Sequence, residues 1–266
     1  MALNLFRSGY TITEVVSQSS AGSRRRAKSL AAKVNATASD GSRVRLDADL
    51  VWFCVPDRQI ALAARKLARI VNWKGKVAFH SSGALVHGEL DAVRDRAAAV
   101  ASVHPFMTLV AAAVPSLEQV PFAIEGDAKA VQMAREIVRR LGGVPFRIEP
   151  EDKVAYHAWG AFASPLVIAL LVTAEQVARV AGVRPSEGRT KMLPIIQQTI
   201  SNYATLGAAG AFSGPLVRGD AQIVRKHLEA LRRVPQAREV YMSLARAALR
   251  YLPVKQREAL KRSLGK

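Results

Sequence analysis

The feature that most constrains this fold is a change of sequence pattern near residue 150 of the 266-residue chain. Before it, short apolar runs alternate with segments of helical periodicity, a pattern typical of a mostly parallel sheet. Leu50–Val55 and Val77–His80 are almost wholly apolar, as expected for strands that are buried on both faces. The other predicted strands are Thr11–Ser17, Ala98–His104, Phe122–Glu125 and Val144–Ile148, with helices at Ser23–Asn35, Gln59–Val71 and Ala128–Leu141.

After Pro150 the pattern predicts helices alone. They are expected at 151–163, 165–182, 187–205, 220–232, 236–251 and 254–264. The sequence therefore predicts an α/β domain over 1–150 and an all-α domain over 151–266. The longest uncharged run, Ala158–Ala174, has 17 residues and contains Pro165. Because a membrane-spanning helix needs about 20 apolar residues, we expect a buried helix here and no contact with a membrane.

Charge and cysteine content narrow the class of protein. The chain has 39 basic and 21 acidic residues, and the excess is most concentrated in residues 225–266. This excess suits either an anion-binding face or the solvated faces of terminal helices. We favour the solvated faces over nucleic-acid binding, because no helix-turn-helix signature and no Cys/His metal spacing accompany the charge. The single Cys54 excludes a disulfide framework and predicts a reducing compartment, the cytoplasm.

The beginning of the sequence lacks an expected element. A doubly wound nucleotide-binding domain starts with a central strand, a glycine-rich turn and a helix. Met1–Tyr10 is typical of the second half of such a helix, ending at Gly9, and no G-x-G-x-x-G occurs in the sequence. We therefore expect the first strand and its phosphate loop to be missing, which would leave the two neighbouring strands with unpaired ladder groups. The alternative is a short N-terminal helix of an unrelated α/β fold.

Five segments carry a resemblance to a known family. They are HSSGAL (His80–Leu85), SVHPFMTL (Ser102–Leu109), PFAIEGD (Pro121–Asp127), KVAYHAWGAFASPLVIALL (Lys153–Leu171) and SGPLVRGD (Ser213–Asp220). With these segments the chain resembles Rossmann-like oxidoreductases that carry a helical C-terminal domain of unknown function, relatives of pyrroline-5-carboxylate reductase and the β-hydroxyacid dehydrogenases. The resemblance implies an NAD(P)-dependent oxidoreductase acting on a small carbonyl, imine or hydroxy acid. It also implies a homodimer formed through the helical domain.

The candidate cofactor residues follow the predicted strands. No acidic residue lies between Glu14 and Asp40, where an NAD site usually places one. Hydroxyl and guanidinium groups in this segment suit a 2′-phosphate, which favours NADP over NAD, although an ordinary basic helix start has the same composition. The predicted cofactor-binding residues are Ser17, Ser19, Ser20, Arg24 and Arg25, then Val55, Pro56 and Asp57, and then His80, Ser82 and Gly83. Asp57 is also a candidate helix cap.

The candidate catalytic residues lie at a strand end and on a helix. His104 ends a strand, where it is suited to general acid–base chemistry or to a structural hydrogen bond. Lys153 and His157 share one helical face, and Lys153 resembles the lysine of the β-hydroxyacid dehydrogenases, where it would supply a proton. The alternative is an exposed Lys–His face above an apolar helix.

Two further residues are expected to bind the substrate. Ser164 resembles part of the substrate turn of pyrroline-5-carboxylate reductase, and Arg218 suits a carboxylate. Asp220 is predicted to cap the next helix, and no metal site is expected. The sequence thus leaves two main hypotheses, an NADP-dependent enzyme and a non-catalytic scaffold that has lost its phosphate loop. A third, less favoured hypothesis is a basic nucleic-acid-associated protein that uses residues 225–266.

Overall fold

A computed structural model describes residues 1–41, 44–110 and 114–265. Its contacts divide the chain into two compact units, Met1–Ala163 and Ser164–Lys266. The first unit is α/β and the second is helical, so the predicted change of architecture along the chain is confirmed. The division between the units falls later in the sequence than the change of pattern at 150, because the helix that begins at Lys153 belongs to the first unit.

The first unit alternates strands and helices. Its strands are β1 (Glu14–Ser17), β2 (Thr37–Asp40), β3 (Leu50–Phe53), β4 (Val77–His80), β5 (Ala99–Pro105), β6 (Pro121–Gly126) and β7 (Val144–Arg147). Its helices are α1 (Ala2–Arg7), α2 (Ala21–Lys33), α3 (Ile60–Leu67), α4 (Asp91–Arg94), α5 (Ala128–Arg140) and α6 (Lys153–Ala163). Each predicted strand is found, and β4 has the predicted bounds.

Two local predictions differ from the structure. The pattern did not predict β2, because its sequence TASD contains no apolar run. The prediction that Asp57 caps the following helix is wrong. A 3-10 turn at Asp57–Gln59 precedes α3, and the Asp57 carboxylate instead accepts a hydrogen bond from the Ser82 hydroxyl at 2.8 Å.

The strands form two sheets in the described residues. β1 and β2 pair in parallel, and the second sheet has the order β3-β4-β5-β6-β7, in which only the β5–β6 pairing is antiparallel. Neither sheet connects β1 with β3 in the described residues, so each of these two strands has one edge without a ladder partner, as the sequence predicted. Both strands line one cavity of about 1120 Å³.

Side-chain contacts at both ends of β1 and β3 show the relative direction of the two strands. The Glu14 carboxylate, at the start of β1, accepts a hydrogen bond from the Leu46 amide, ahead of β3, at 2.7 Å. Gln18, just after β1, donates to the side chain of Gln59, which follows β3. Since both starts and both ends correspond, β1 and β3 run in the same direction, and both line the cavity.

The five-stranded sheet is covered on both faces. One apolar cluster joins Val77, Phe79 and Phe122 to α5 and to Leu5 of α1. The other joins Val51, Ala78 and Val100 to α3 and α4. Because alternate residues of a strand point to opposite faces, this distribution defines a doubly wound sheet.

The second unit contains α7 (Pro165–Val180), α8 (Pro185–Ala211), α9 (Pro215–Arg218), α10 (Ala221–Ala230), α11 (Pro235–Tyr251) and α12 (Arg257–Leu264). Its apolar core forms between α10, α11 and α12. Asp220 caps α10 as predicted, accepting a hydrogen bond from the Ile223 amide at 3.1 Å. The long helix α8 is interrupted at Gly207, whose φ of 69° is easily adopted by glycine alone.

The expectation of a buried helix around Ala158–Ala174 is wrong. α7 has no buried residue, and Ile168 is 60% exposed. The reason is that the core of the second unit lies among α10–α12 and leaves α7 at its margin. Among the described residues, one helical stretch, Pro150–Val180, is long and apolar enough to cross a membrane by length and composition.

Candidate active site

Polar side chains meet at one edge of the five-stranded sheet. The parallel strands β3, β4 and β5 all end there, followed by Asp57, by Ser82 and Gly83, and at the end of β5 by His104. The carboxyl edge of a doubly wound sheet is the usual place for ligands. The helix α6 adds Lys153, Tyr156 and His157 to this group. All of these residues belong to the first unit.

Lys153 links the helix to two strands. Its Nζ donates hydrogen bonds to the Ser82 carbonyl at 2.8 Å and to the Ser102 hydroxyl at 2.6 Å. The residue is 0% exposed, and burial lowers the pKa of Lys153 to about 8, against the opposing charges of Glu125 and Asp57. Since Nζ is shielded from solvent, its position favours a role in holding the loop after β4. Its predicted role as proton donor stays a prediction.

The loop after β4 is tightly hydrogen bonded. The Ser82 hydroxyl donates to Asp57 and accepts from the Leu85 amide at 3.0 Å. His80 Nδ1 accepts from the Ser82 amide at 3.1 Å, while Nε2 donates to the Val86 carbonyl at 3.0 Å. Burial is the main reason why the pKa of His80 is lowered to about 4. This arrangement gives neutral His80 a structural role within the loop.

His104 lies beside Gly83 and His157. Its Nδ1 is 2.7 Å from the Tyr156 hydroxyl oxygen. A Cβ atom at Gly83 would lie 2.9 Å from His104 Nε2 and 2.7 Å from His157 Cδ2, so only glycine leaves room for both imidazole rings. Burial first, and then the charges of Lys153 and His157, lower the pKa of His104 to about 4. His104 is therefore neutral at physiological pH.

The predicted phosphate-binding residues lie at the β1–α2 junction. The Ser17 hydroxyl donates to the Ser39 carbonyl at 3.1 Å, and the Ser20 hydroxyl accepts from the Ser23 amide as the N-cap of α2. The Arg24 guanidinium donates to the Ser19 carbonyl, and Arg25 is exposed. Ser19, Arg24 and Arg25 are thus at the surface, whereas the hydroxyls of Ser17 and Ser20 have local partners. Val55 is half-buried and Pro56 is exposed just after β3.

The two predicted substrate residues lie in the second unit. Ser164 is the residue before α7, and Arg218 ends α9, where Gly219 terminates the helix with a φ of 76°. Within the described ranges no group of three or more His, Cys, Asp or Glu side chains is arranged to hold a metal ion.

Three polar residues of this region were not predicted from the sequence. Tyr156 lies between Lys153 and His157 on α6, and Ser102 lies two residues before His104, on the same side of β5. The spacing of Tyr156 and Ser102 relative to these residues could have indicated that both belong to the site. Glu125 is 3% exposed and binds the amide and the ring of His87, a long-range contact that no local spacing indicates.

The fold and the polar carboxyl edge define a Rossmann-like protein, and a model of the Rossmann-like domain matches residues 1–105. The domain of unknown function DUF2520 matches residues 120–248. The chain therefore combines a Rossmann-like domain with a DUF2520 domain, and the predicted resemblance is confirmed.

Solved structures share this fold at low sequence identity. A candidate NADP oxidoreductase from Bacteroides fragilis is 21% identical with a TM-score of 0.72, covering 92% of this chain and 91% of that one. A reductive aminase from Aspergillus terreus in complex with NADPH and ethyl-5-oxohexanoate is 14% identical with a TM-score of 0.63, covering 97% and 93%. A pyrroline-5-carboxylate reductase from Coxiella burnetii is 16% identical with a TM-score of 0.56, covering 100% and 93%. No curated protein sequence matches the chain.

Proposed function

We propose that this protein is an NADP-dependent oxidoreductase that reduces or oxidises a small carbonyl, imine or hydroxy acid. The observation that carries the proposal is the cluster of Lys153, neutral His104 and His157 at the carboxyl edge of a doubly wound sheet. Distant structural similarity to NADP-dependent reductases supports the class of reaction.

The residues at the β1–α2 junction fit the phosphate end of NADP. Arg24 and Arg25 are exposed beside Ser19, and guanidinium groups bind phosphate oxygens through two parallel hydrogen bonds. The described part of this segment offers no carboxylate between Glu14 and Asp40 to repel a phosphate. We therefore assign Ser19, Arg24 and Arg25 to the 2′-phosphate, and Val55, Pro56 and Asp57 to the ribose near the nicotinamide.

The reaction needs a hydride and a proton at the substrate. The nicotinamide, when bound, supplies the hydride. On the protein side, neutral His104 presents Nε2 beside Gly83, where it can orient a substrate oxygen or nitrogen. His157 is exposed, and its ring lies beside Gly83. Lys153 Nζ holds Ser82 and Ser102 in place through its hydrogen bonds to the Ser82 carbonyl and the Ser102 hydroxyl.

Cofactor binding tests this proposal directly. We expect NADPH to bind, with increased nicotinamide fluorescence, and to be oxidised in the presence of a small keto acid or cyclic imine. Replacing both Arg24 and Arg25 by Ala should weaken NADPH binding about tenfold or more, because a hydrogen bond to a charged group contributes about 1.5–3 kcal/mol. The same double variant should bind NADH almost unchanged.

Arg26→Ala is the matched control, because Arg26 is an exposed neighbour on the same helix. An equal loss for NADPH and NADH would contradict the phosphate assignment. No fluorescence change at millimolar NADPH would favour the non-catalytic scaffold over the enzyme.

We also propose that a second copy of this chain covers the exposed apolar side chains of α7 and α8. These helices expose many large apolar side chains, and exposed apolar surface of this extent is typical of an interaction face. The exposed side chains are Leu166, Val167, Ile168, Leu170, Val172, Leu193, Ile195, Ile200, Tyr203 and Leu206.

Sedimentation equilibrium tests the dimer. We expect twice the chain mass of 28.8 kDa at micromolar concentration, and dissociation to monomers in Ile168→Asp, because a carboxylate is costly to bury at an apolar interface. Tyr251→Asp, at an exposed position on α11, is the control and should remain dimeric. A wild-type monomer at every concentration would exclude the dimer, and co-sedimentation with lipid vesicles would assign this face to a membrane.

A further inference from the structure

Tyr156 is almost completely enclosed. It is 6% exposed, and its ring lies against Phe106, Phe146 and Trp159, with centroid distances of 5.3, 6.1 and 6.3 Å. The His104 ring meets it edge-on at 5.5 Å. These contacts hold the phenol in one orientation, with its hydroxyl directed at the imidazole.

The hydroxyl of Tyr156 must therefore donate to His104. A buried O–H group is almost always hydrogen bonded, and His104 Nδ1, at 2.7 Å, is its one hydrogen-bond partner in the described part of the chain. Burial also raises the pKa of Tyr156, so that the phenol keeps its proton. If Nδ1 carried the imidazole proton instead, the phenolic hydrogen would have no acceptor.

An acceptor at Nδ1 determines where the imidazole proton lies. Neutral histidine has one donor and one acceptor nitrogen, so its proton must be on Nε2. Nε2 faces the space left by Gly83. In the described residues, Nε2 has no hydrogen-bond partner within the protein.

We propose that Tyr156 is a positioning residue that fixes the proton of neutral His104 on Nε2, so that the site selects substrates presenting a hydrogen-bond acceptor. A carbonyl oxygen, an imine nitrogen or a carboxylate satisfies this donor, whereas a protonated amine does not. The substrate statement rests on the proposed oxidoreductase function, while the tautomer itself is a property of the free protein.

Burial, and after it the charges around His104, maintain its neutral form. Lys153 and His157 on α6 and His80 on β4 disfavour a second proton, and Asp57 after β3 opposes them. Burial together with these charges lowers the pKa of His104 to about 4, so the neutral ring, with one N–H, is the species present at pH 7.

Nitrogen-15 NMR of the labelled protein at pH 7 tests the tautomer without any cofactor or substrate. We expect the His104 ring to give one set of nitrogen-15 signals, corresponding to a protonated Nε2 and an unprotonated Nδ1. These signals are assigned to His104 because they disappear in His104→Gln. In Tyr156→Phe, which keeps the ring contacts and removes only the hydroxyl, we expect a mixture of the two tautomers.

Tyr241→Phe is the matched control. The Tyr241 hydroxyl oxygen lies 3.2 Å from His227 Nδ1 in the second unit. Removing this hydroxyl should leave the His104 signals unchanged. A wild-type His104 protonated on Nδ1, or an unchanged single tautomer in Tyr156→Phe, would overturn the proposal.

Kinetics then separate this inference from the proposed function. With a keto acid and NADPH, Tyr156→Phe should lower kcat/KM about tenfold or more, as expected when a group active in general acid–base chemistry is misplaced. If NMR shows the predicted tautomer but the protein oxidises no NADPH, the proposed oxidoreductase function is rejected and the tautomer assignment stands. Unchanged kcat/KM in the variant would reject the role of the tautomer in substrate selection.

Discussion

Acidification from pH 6.5 to pH 4 should reduce the free energy of unfolding by several kcal/mol. His80 and His104 have pKa values lowered from 6.5 to about 4 in the folded protein, in both cases chiefly by burial. Between these pH values the unfolded chain binds protons that the folded chain does not, so stability falls as the pH falls. At about 1.4 kcal/mol for each pKa unit, each histidine contributes on the order of 3 kcal/mol.

Urea unfolding at a series of pH values from 7 to 4 measures this loss. His104→Gln removes one of the two groups and should make the decline with pH shallower. His227→Gln, at an exposed position in the second unit, should leave the slope unchanged. The same slope in His104→Gln and the wild type would show that His104 titrates normally.

Lys153 should have the opposite effect on the alkaline side, where the free energy of unfolding is expected to increase from pH 8 towards pH 10.5. Burial lowers the pKa of Lys153 from 10.5 to about 8. In this range the unfolded chain holds a proton on this lysine and the folded chain releases it, which favours folding as the pH rises. The full difference corresponds to about 3 kcal/mol.

Lys153→Met tests this prediction, because it replaces the amine by an uncharged side chain of similar length. In this variant the free energy of unfolding should no longer increase between pH 8 and pH 10.5. Since Lys153 also lowers the pKa of both His80 and His104, the variant should also show a shallower acid decline. Lys28→Met, at an exposed position on α2, is the control. A variant that gains as much stability as the wild type above pH 8 would contradict a buried, partly deprotonated Lys153.

Much of the candidate site could be predicted because parallel strands end at a common edge. His80, Ser82 and His104 each follow or end an apolar strand, so the sheet alone brings them together. Lys153 and His157 share a helical face by their spacing. Which of these groups is buried, however, depends on packing between distant elements, as the contacts of Lys153 with Ser82 and Ser102 show.

The errors have the same origin. Nothing in the local sequence shows that Asp57 binds Ser82 instead of capping α3, because its partner is far away in sequence. The strand β2 is polar and pairs only with the edge strand β1, so it needs no apolar pattern. The apolar run in α7 indicated burial, but periodicity does not reveal whether the covering surface belongs to the same chain.

The gap between β1 and β3 has a consequence for how the two ends of the candidate cofactor site are coupled. Arg24 and Arg25 follow β1, while Asp57 follows β3, and no backbone ladder joins those strands in the described structure. Side-chain contacts at Glu14 and Gln18 connect them instead. Because such contacts are more easily broken than a ladder, the two-stranded sheet can open locally at a lower free energy than the five-stranded one. We therefore expect the end that carries Arg24 and Arg25 to open at a lower free energy than the end that holds His104.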